Sequence, residues 1–249
     1  MTVIVLLLFC VASLLAGGSA SPNQLTAEEK AAGWVLLFDG ESFAGWEGFD
    51  NTSVAPQSWG IDDGAIRTLA DSSGGDMVTV RPYENFELQF EWKLSAGGNS
   101  GVKYIVQRDW ISPAFTPAQP EAWKRRARLR ATGLEYQLLD DSKRRSRPLS
   151  PYSSCGSLYL LTAPKNKRLN PPGEWNHSRI VVRGTHGEHW LNGVKLLDYE
   201  LNSPELLARV QETKFRCVPG YGIKGAGYIA LTHHNSPAWF RGIKIRELK

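Results

Sequence analysis

Gly133 to Asp141 reads GLEYQLLDD, an alternating segment around which the rest of the chain can be interpreted. The two-residue period of a β-strand gives it one apolar face, formed by Leu134, Tyr136 and Leu138. The other face carries an acid and an amide, at Glu135 and Gln137, next to Leu139. The first face is typical of a sandwich core. The second fits either a solvated strand face or a binding site.

Further segments of this kind recur between Gly, Asp and Asn residues. In Phe86 to Leu94, FELQFEWKL, apolar and polar residues alternate without a break, so the register is strongly specified. Asn192-Gly193 between apolar residues predicts a type I′ hairpin. Many short strands at this spacing favour an all-β sandwich over an alternating β-α-β fold.

Helices are predicted at the periphery. Thr26 is a candidate N-cap with Glu29 three residues later, which indicates a short surface helix. Residues 203–211, SPELLARVQ, predict an amphipathic helix capped by Ser203. Residues 109–131 contain three Pro and then a helical piece, and we expect a flap over one rim of the sandwich.

Composition fits one soluble globular domain. The chain has 249 residues, of which 42% are hydrophobic and 22% charged, and its nine Trp and 24 Gly are typical of a turn-rich β fold. Residues 1–20 resemble a secretory signal, although Lys and Arg are absent from its start, and they are short for a membrane span. We therefore expect an exported protein, periplasmic or extracellular, without stable membrane insertion. Residues 21–33 form a lead segment and residues 34–249 the domain.

The net charge of +4 comes largely from two basic runs, KRRARLR at 124–130 and KRRSR at 143–147. They lack interleaved aromatics and a nucleic-acid motif, so we expect a solvated insertion loop and no nucleic-acid partner. Cys155 and Cys217 remain after signal removal. Either a single disulfide or two separate thiols fit this count.

Polar strand faces supply the candidate ligand groove of such a sandwich. Its candidate residues are Glu87, Gln89, Glu91, Asn99, Lys103, Glu135, Gln137 and His234. A strand-end histidine can act as acid or base near neutral pH, although structural roles explain many such residues. Trp46 and Trp190 are candidates for stacking on a sugar ring, or for the core.

Motifs for other chemistries are missing from the sequence. His233 and His234 are adjacent on a predicted strand and therefore point to opposite faces, which makes a poor joint metal site, and we assign no metal ligands. No P-loop, dinucleotide fingerprint or Ser/Cys nucleophile motif is present.

Eight motifs in order resemble the 3-keto-disaccharide hydrolase domain family. They are LFDGESFAGW (37–46), WGIDDGAI (59–66), FELQFEWKLSAGGNSGVKY (86–104), GLEYQLLDD (133–141), GSLY (156–159), PPGEWNHSRIVVRG (171–184), EHWLNG (188–193) and FRGIKIREL (240–248). The resemblance implies a concanavalin-like jelly roll in a bacterial exported protein. It also implies cleavage of 3-keto-glycosides by elimination followed by hydration. If another enzyme makes the ketone, this reaction needs no oxidised cofactor, so we expect neither a nicotinamide nor a flavin.

The resemblance extends to individual residues. The family's G-x-E-x-Q falls on Gly133, Glu135 and Gln137, its N-S-G on Asn99, Ser100 and Gly101, and its late histidine on His234. On this match we expect Glu135 and His234 to be the catalytic residues, with either of them as base or acid. We expect six residues to bind the sugar: Glu91, Asn99, Lys103, Gln137, Tyr159 and Trp190.

The chain departs from the family pattern in two places. Thr232, His233 and Asn235 stand where many members have Gln, Asp and Gly, and Leu160 stands where they have Asp. Side chains that would support the histidine are therefore absent. A different substrate, or a lectin-like carbohydrate-binding module without catalysis, is the alternative, and an interaction domain without sugar chemistry is a third.

Overall fold

The computed structural model describes residues 21–110, 112, 121–143 and 148–249. The predicted signal peptide, residues 1–20, and most of the second basic run, 144–147, lie outside the described residues.

Short strands account for most of the described secondary structure. They are β1 Val35–Leu36, β2 Trp46–Gly48, β3 Trp59–Asp62, β4 Ala65–Thr68, β5 Met77–Thr79, β6 Phe86–Leu94, β7 Asn99–Val106, β8 Leu134–Leu139, β9 Asn176–Arg183, β10 His186–Leu191, β11 Val194–Glu200, β12 Tyr228–Leu231 and β13 Ala238–Glu247. The helices are α1 Ala27–Ala31, α2 Glu121–Arg128 and α3 Pro204–Gln211, with 3-10 turns at Pro151–Ser153 and Lys214–Cys217.

Within the described residues these strands form two antiparallel sheets. The large sheet has the order β11-β10-β9-β6-β13-β4-β3, with β1 paired to β13, and the small sheet has the order β2-β5-β12-β7-β8. Consecutive strands such as β6 and β7 belong to different sheets, and this connectivity is typical of a jelly roll. The predicted all-β, concanavalin-like jelly-roll β-sandwich with short peripheral helices is confirmed.

The core lies between the inner faces of the two sheets. β8 contributes Leu134, Tyr136 and Leu138, each at most 2% exposed, as its alternation predicts. β6 contributes its own predicted apolar face in the large sheet. Consequently the opposite face of β8, with Glu135 and Gln137, points away from the core on the outer side of the small sheet.

A series of hydrogen-bonded polar side chains crosses this core. His189 is fully buried, and its Nε2 lies 2.8 Å from the Tyr104 hydroxyl, which lies 2.7 Å from the hydroxyl of Tyr199. The Nδ1 atom of His189 lies 3.1 Å from the carbonyl oxygen of Gly156. Burial lowers the pKa of His189 to about 3, so the ring stays neutral and links the two sheets by hydrogen bonds.

The predicted turn and caps are confirmed. Asn192 and Gly193 connect β10 to β11 with positive φ angles of 46° and 80°, as a type I′ turn requires. Thr26 and Glu29 form a capping box on α1, and Ser203 accepts a hydrogen bond from the third residue of its helix, Leu206.

Cys155 and Cys217 are both free thiols, so the disulfide alternative is wrong. Cys155 is fully buried whereas Cys217 is exposed, which places the two sulfur atoms in different environments. No helix in the described ranges is long and apolar enough to cross a bilayer.

Candidate functional site

A pocket of about 320 Å³ lies on the outer face of the small sheet. Its floor is formed by β7 and β8, and loops from several parts of the chain surround it. The lining residues are Asn99, Lys103, Ser112, Arg130, Glu135, Gln137, Leu139, Ser153, Tyr159, Lys214 and His234. Six of the eight residues expected to be catalytic or to bind the sugar therefore meet at one pocket. Of the other groove candidates, Glu87 and Gln89 lie on β6 in the large sheet, outside it.

The pairing of β7 with β8 determines the arrangement of this floor. Glu135 lies opposite Lys103, and Gln137 lies opposite Gly101. A Cβ atom on Gly101 would sit 2.3 Å from Oε1 of Glu135, closer than real Cβ atoms approach other atoms. Gly101 therefore leaves the space that the Glu135 carboxyl occupies, which gives the glycine of the N-S-G motif a physical reason.

Two amides lie side by side at one end of the floor. The side-chain nitrogen of Gln137 donates to the side-chain oxygen of Asn99 at 2.8 Å. This bond fixes the orientation of both side chains and leaves the nitrogen of Asn99 and the oxygen of Gln137 as candidates for contacts with ligand hydroxyls.

Glu135 is the acid at the centre of the pocket. Only 6% of its surface is exposed, and within the described part of the chain no hydrogen bond reaches its carboxyl group. Burial raises the pKa of Glu135 and the negative charge of Asp76 adds to this effect, whereas Lys103, Lys214 and Arg130 oppose it. A carboxyl group with a raised pKa is a stronger base once ionised.

The buried carboxylate of Asp76 holds two of these cations, Lys103 and Arg130, in place beside the pocket. Asp76 is 1% exposed and lies 3.5 Å from Nζ of Lys103 and 3.4 Å from Nη1 of Arg130. Lys103 also donates to the carbonyl oxygen of Ala131 at 2.9 Å, and Arg130 donates to the carbonyl oxygen of His233. The two cations therefore have defined positions beside the floor.

His233 and His234 lie after the end of β12 and not on a strand as predicted, and their side chains are in different environments. His233 is fully buried and its ring meets Trp59 edge to face at a centroid distance of 5.4 Å. His234 is exposed to the pocket. Surrounding protein atoms and the positive charges of Arg130 and Lys103 lower its pKa, so its imidazole is neutral at pH 7.

Tyr159 and Lys214 line the side of the pocket facing Glu135. Nζ of Lys214 lies 5.0 Å from the centre of the Tyr159 ring, and Lys214 forms no ion pair with any residue that the structure describes. Desolvation lowers the pKa of Lys214 while Glu135 opposes the shift. Desolvation and the charge of Glu135 both raise the pKa of Tyr159, which keeps its hydroxyl protonated.

Glu91 and Trp190, predicted to bind the sugar, lie outside this pocket. Both belong to the large sheet, Glu91 on β6 and Trp190 on β10. Glu91 accepts a hydrogen bond from Arg241 at 2.7 Å, and the guanidinium of Arg179 lies 4.0 Å from the centre of the Trp190 ring. Cations thus engage both side chains, and the structure does not bring these two residues together with Glu135.

Sequence reasoning missed Asp76, Arg130 and Lys214. Arg130 ends the basic run predicted to be a solvated loop, yet it turns towards the small sheet and lines the pocket. Asp76 precedes β5 and Lys214 begins a 3-10 turn, far apart along the chain. The sequence feature that could have pointed to Asp76 is the GGD sequence before β5. Gly75 in it has a φ of 76°, and its close approach to Leu129 leaves no room for a Cβ atom.

The residues that depart from the family pattern differ from one another in their surroundings and conformation. Within the described part of the chain, the Thr232 hydroxyl and Nε2 of His233 are buried without hydrogen-bond partners. Asn235 adopts φ 57°, a left-handed conformation that glycine and asparagine both tolerate. Leu160 is partly buried and packs against the core. Searched over the described residues, the chain shows no cluster of three or more His, Cys, Asp or Glu suited to a metal ion.

Fold and pocket together define a jelly-roll sandwich protein with a polar pocket on the outer face of one sheet. Its sequence belongs to the 3-keto-alpha-glucoside-1,2-lyase-like domain family, whose family model matches residues 33–246. The predicted family is confirmed.

Relatives extend this comparison. A Bacteroides thetaiotaomicron protein named 3-keto-disaccharide hydrolase is 29% identical over 92% of this chain and 83% of its own length. A crystal structure of a candidate glycosyl hydrolase from Parabacteroides distasonis is 36% identical, with a TM-score of 0.74 over 91% of this chain and 99% of that one. A second such structure from that organism is 27% identical, with a TM-score of 0.62 over 86% and 99%.

Proposed function

We propose that this protein is an exported enzyme that cleaves 3-keto-glycosides by base-assisted elimination followed by hydration, with net hydrolysis of the glycosidic bond. Family membership and the name of the Bacteroides thetaiotaomicron relative support the substrate class. The observation that carries the proposal is the buried Glu135 carboxyl on the pocket floor, facing Lys103, Arg130 and Lys214.

The ketone explains why a base and several cations suit this reaction. A C3 ketone acidifies the C2 proton, so ionised Glu135 removes that proton and its electrons form an enolate whose negative charge lies on the C3 oxygen. The enolate then re-forms the ketone and expels the C1 substituent, which leaves a C1–C2 double bond. The cations stabilise the charge as it develops on the C3 oxygen.

Hydration completes the reaction. Water adds to C1 of the unsaturated ketone, and a proton returns to C2. We assign His234 to this step because it lines the pocket and its imidazole is neutral, so a ring nitrogen can accept a hydrogen bond from the attacking water and take its proton as the C1–O bond forms. Tyr159, whose hydroxyl stays protonated, is assigned the proton delivered to the departing oxygen. Asn99 and Gln137 hold sugar hydroxyls.

Release of a chromophore from a 3-keto-glucoside tests the proposal. We expect release by the wild type, and a loss of about 100-fold or more in Glu135→Gln and in His234→Ala, since general acid–base groups contribute about 10²–10⁴-fold. Glu91→Gln is the control, because it makes the same change to a β-strand carboxylate that lies outside the pocket, in the other sheet, where Glu91 pairs with Arg241.

The outcomes separate the alternatives. Release that neither pocket substitution slows would contradict the assignment of the site. Binding of the sugar without release would favour the lectin-like module, and absence of both would favour an interaction domain.

A further inference from the structure

Asp76 lies beneath the pocket without lining it. Its carboxylate accepts hydrogen bonds from the backbone N–H of Ala131 at 3.0 Å and of His233 at 3.1 Å. Its two oxygens also pair with Lys103 and Arg130. A buried carboxylate is stable when cations and N–H donors surround it, and these four partners meet that need.

The four partners come from three separate parts of the chain. Lys103 is on β7, Arg130 and Ala131 follow α2, and His233 follows β12. The backbone N–H of Asp76 also donates to the carbonyl oxygen of Leu129 at 3.0 Å, so the segment after α2 is bound twice. One carboxylate thereby joins the pocket floor to two of the loops at its rim.

We propose that Asp76 is a positioning residue of the active site: it holds Lys103 and Arg130 at the pocket and fixes the loop that carries His234. This inference rests on the proposed function. The backbone bond to His233 fixes the residue next to His234, and Arg130 bonds the carbonyl oxygen of the same residue. Asp76 and Arg130 therefore support His234 through the backbone of its neighbour, His233.

The charge of Asp76 also acts on both assigned proton-transfer groups. Facing Glu135 are Lys103, Lys214, Arg130 and Asp76, together with the protonated hydroxyls of Tyr159 and Tyr221. Facing His234 are Arg130, Lys103, Asp76 and His233. In both sets Asp76 raises the pKa and the cations lower it, so loss of its charge lowers both pKa values.

The test combines Asp76→Asn with a measurement that does not depend on turnover. We expect kcat to fall about 100-fold with a smaller change in KM, because displacement of catalytic groups by about 1 Å costs about that much. Carbon-13 NMR titration of the Glu135 carboxyl should show its pKa lowered. Glu87→Gln is the matched control, since Glu87 is a buried carboxylate that binds Arg246 and Arg179 in the large sheet. It should leave both readouts unchanged.

Arg130→Met provides the complementary variant, and it carries the test by itself if Asp76→Asn does not fold. It leaves Asp76 with Lys103 and both backbone donors, removes a cation, and should raise the pKa of Glu135 while kcat falls. A folded Asp76→Asn, or in its absence Arg130→Met, with kcat within about twofold and an unchanged Glu135 pKa would overturn the inference. If the wild type releases no aglycone, the proposed function fails, whereas the NMR titration still decides the role of Asp76.

Discussion

Gly101→Ala tests directly whether the position of the Glu135 carboxyl governs catalysis. The new Cβ atom would lie 2.3 Å from Oε1 of Glu135, about 1.1 Å short of the 3.4 Å at which ordinary contact begins. The backbone at Gly101 is an ordinary strand, so alanine meets the side chain of Glu135 and adds no left-handed strain. The carboxyl group must therefore move by about 1 Å.

A displacement of this size is expected to reduce kcat about 100-fold. The assay is steady-state release from a 3-keto-glycoside, with the melting temperature recorded beside it. Gly60→Ala is the control, because its Cβ atom meets only the flexible end of Leu69 at 3.4 Å and lies in the large sheet. We expect Gly60→Ala to keep wild-type activity.

A double-mutant cycle with Glu135→Ala makes the reasoning refutable. With the carboxyl group absent, the alanine at position 101 has nothing to displace, so it should cause no further loss. The reasoning would be refuted if Gly101→Ala kept full activity, or if it caused the same loss with and without Glu135.

Three further predictions concern pH and the two sheets. First, kcat/KM should fall as pH decreases through the raised pKa of Glu135, because the base must be ionised; a flat acid limb would argue against this base. Second, neutral His189 has a folded pKa of about 3 and an unfolded value near 6.5, so only the unfolded chain gains this proton as the pH falls between them. Urea unfolding at pH 5 should therefore show about 2 kcal/mol less stability than at pH 7 from this group, and equal stabilities would contradict it. Third, Trp190→Phe should leave KM unchanged, and a raised KM would return Trp190 to the sugar site.

Alternation along a strand predicted which residues share a face, and it did so correctly. In β8 and β6 the apolar sets are buried as expected, because a one-residue shift would bury polar groups. The period does not say to which sheet a strand belongs. The polar faces of β6 and β8 therefore looked equivalent in the sequence, although Glu91 and Glu135 lie on opposite sides of the sandwich.

The alternation of apolar and polar residues could not predict which loop residues line or support the pocket. Asp76, Arg130 and Lys214 come together through the packing of separate loops, and no local period links them. Arg130 in particular sits in a basic run whose composition resembles a solvated segment. The same limit applied to the cysteines, since an even count carries no information about the burial of Cys155.

The central claim is that Glu135 removes the C2 proton of a 3-keto-glycoside. Its most direct test is a substrate carrying deuterium at C2, with mass analysis of the sugar product at early times in ordinary water. We predict that the product has lost the deuterium while free 3-keto sugar, incubated for the same time without enzyme, retains it. Release of the aglycone with the C2 deuterium still in place, and at the same rate as from the undeuterated substrate, would contradict the account.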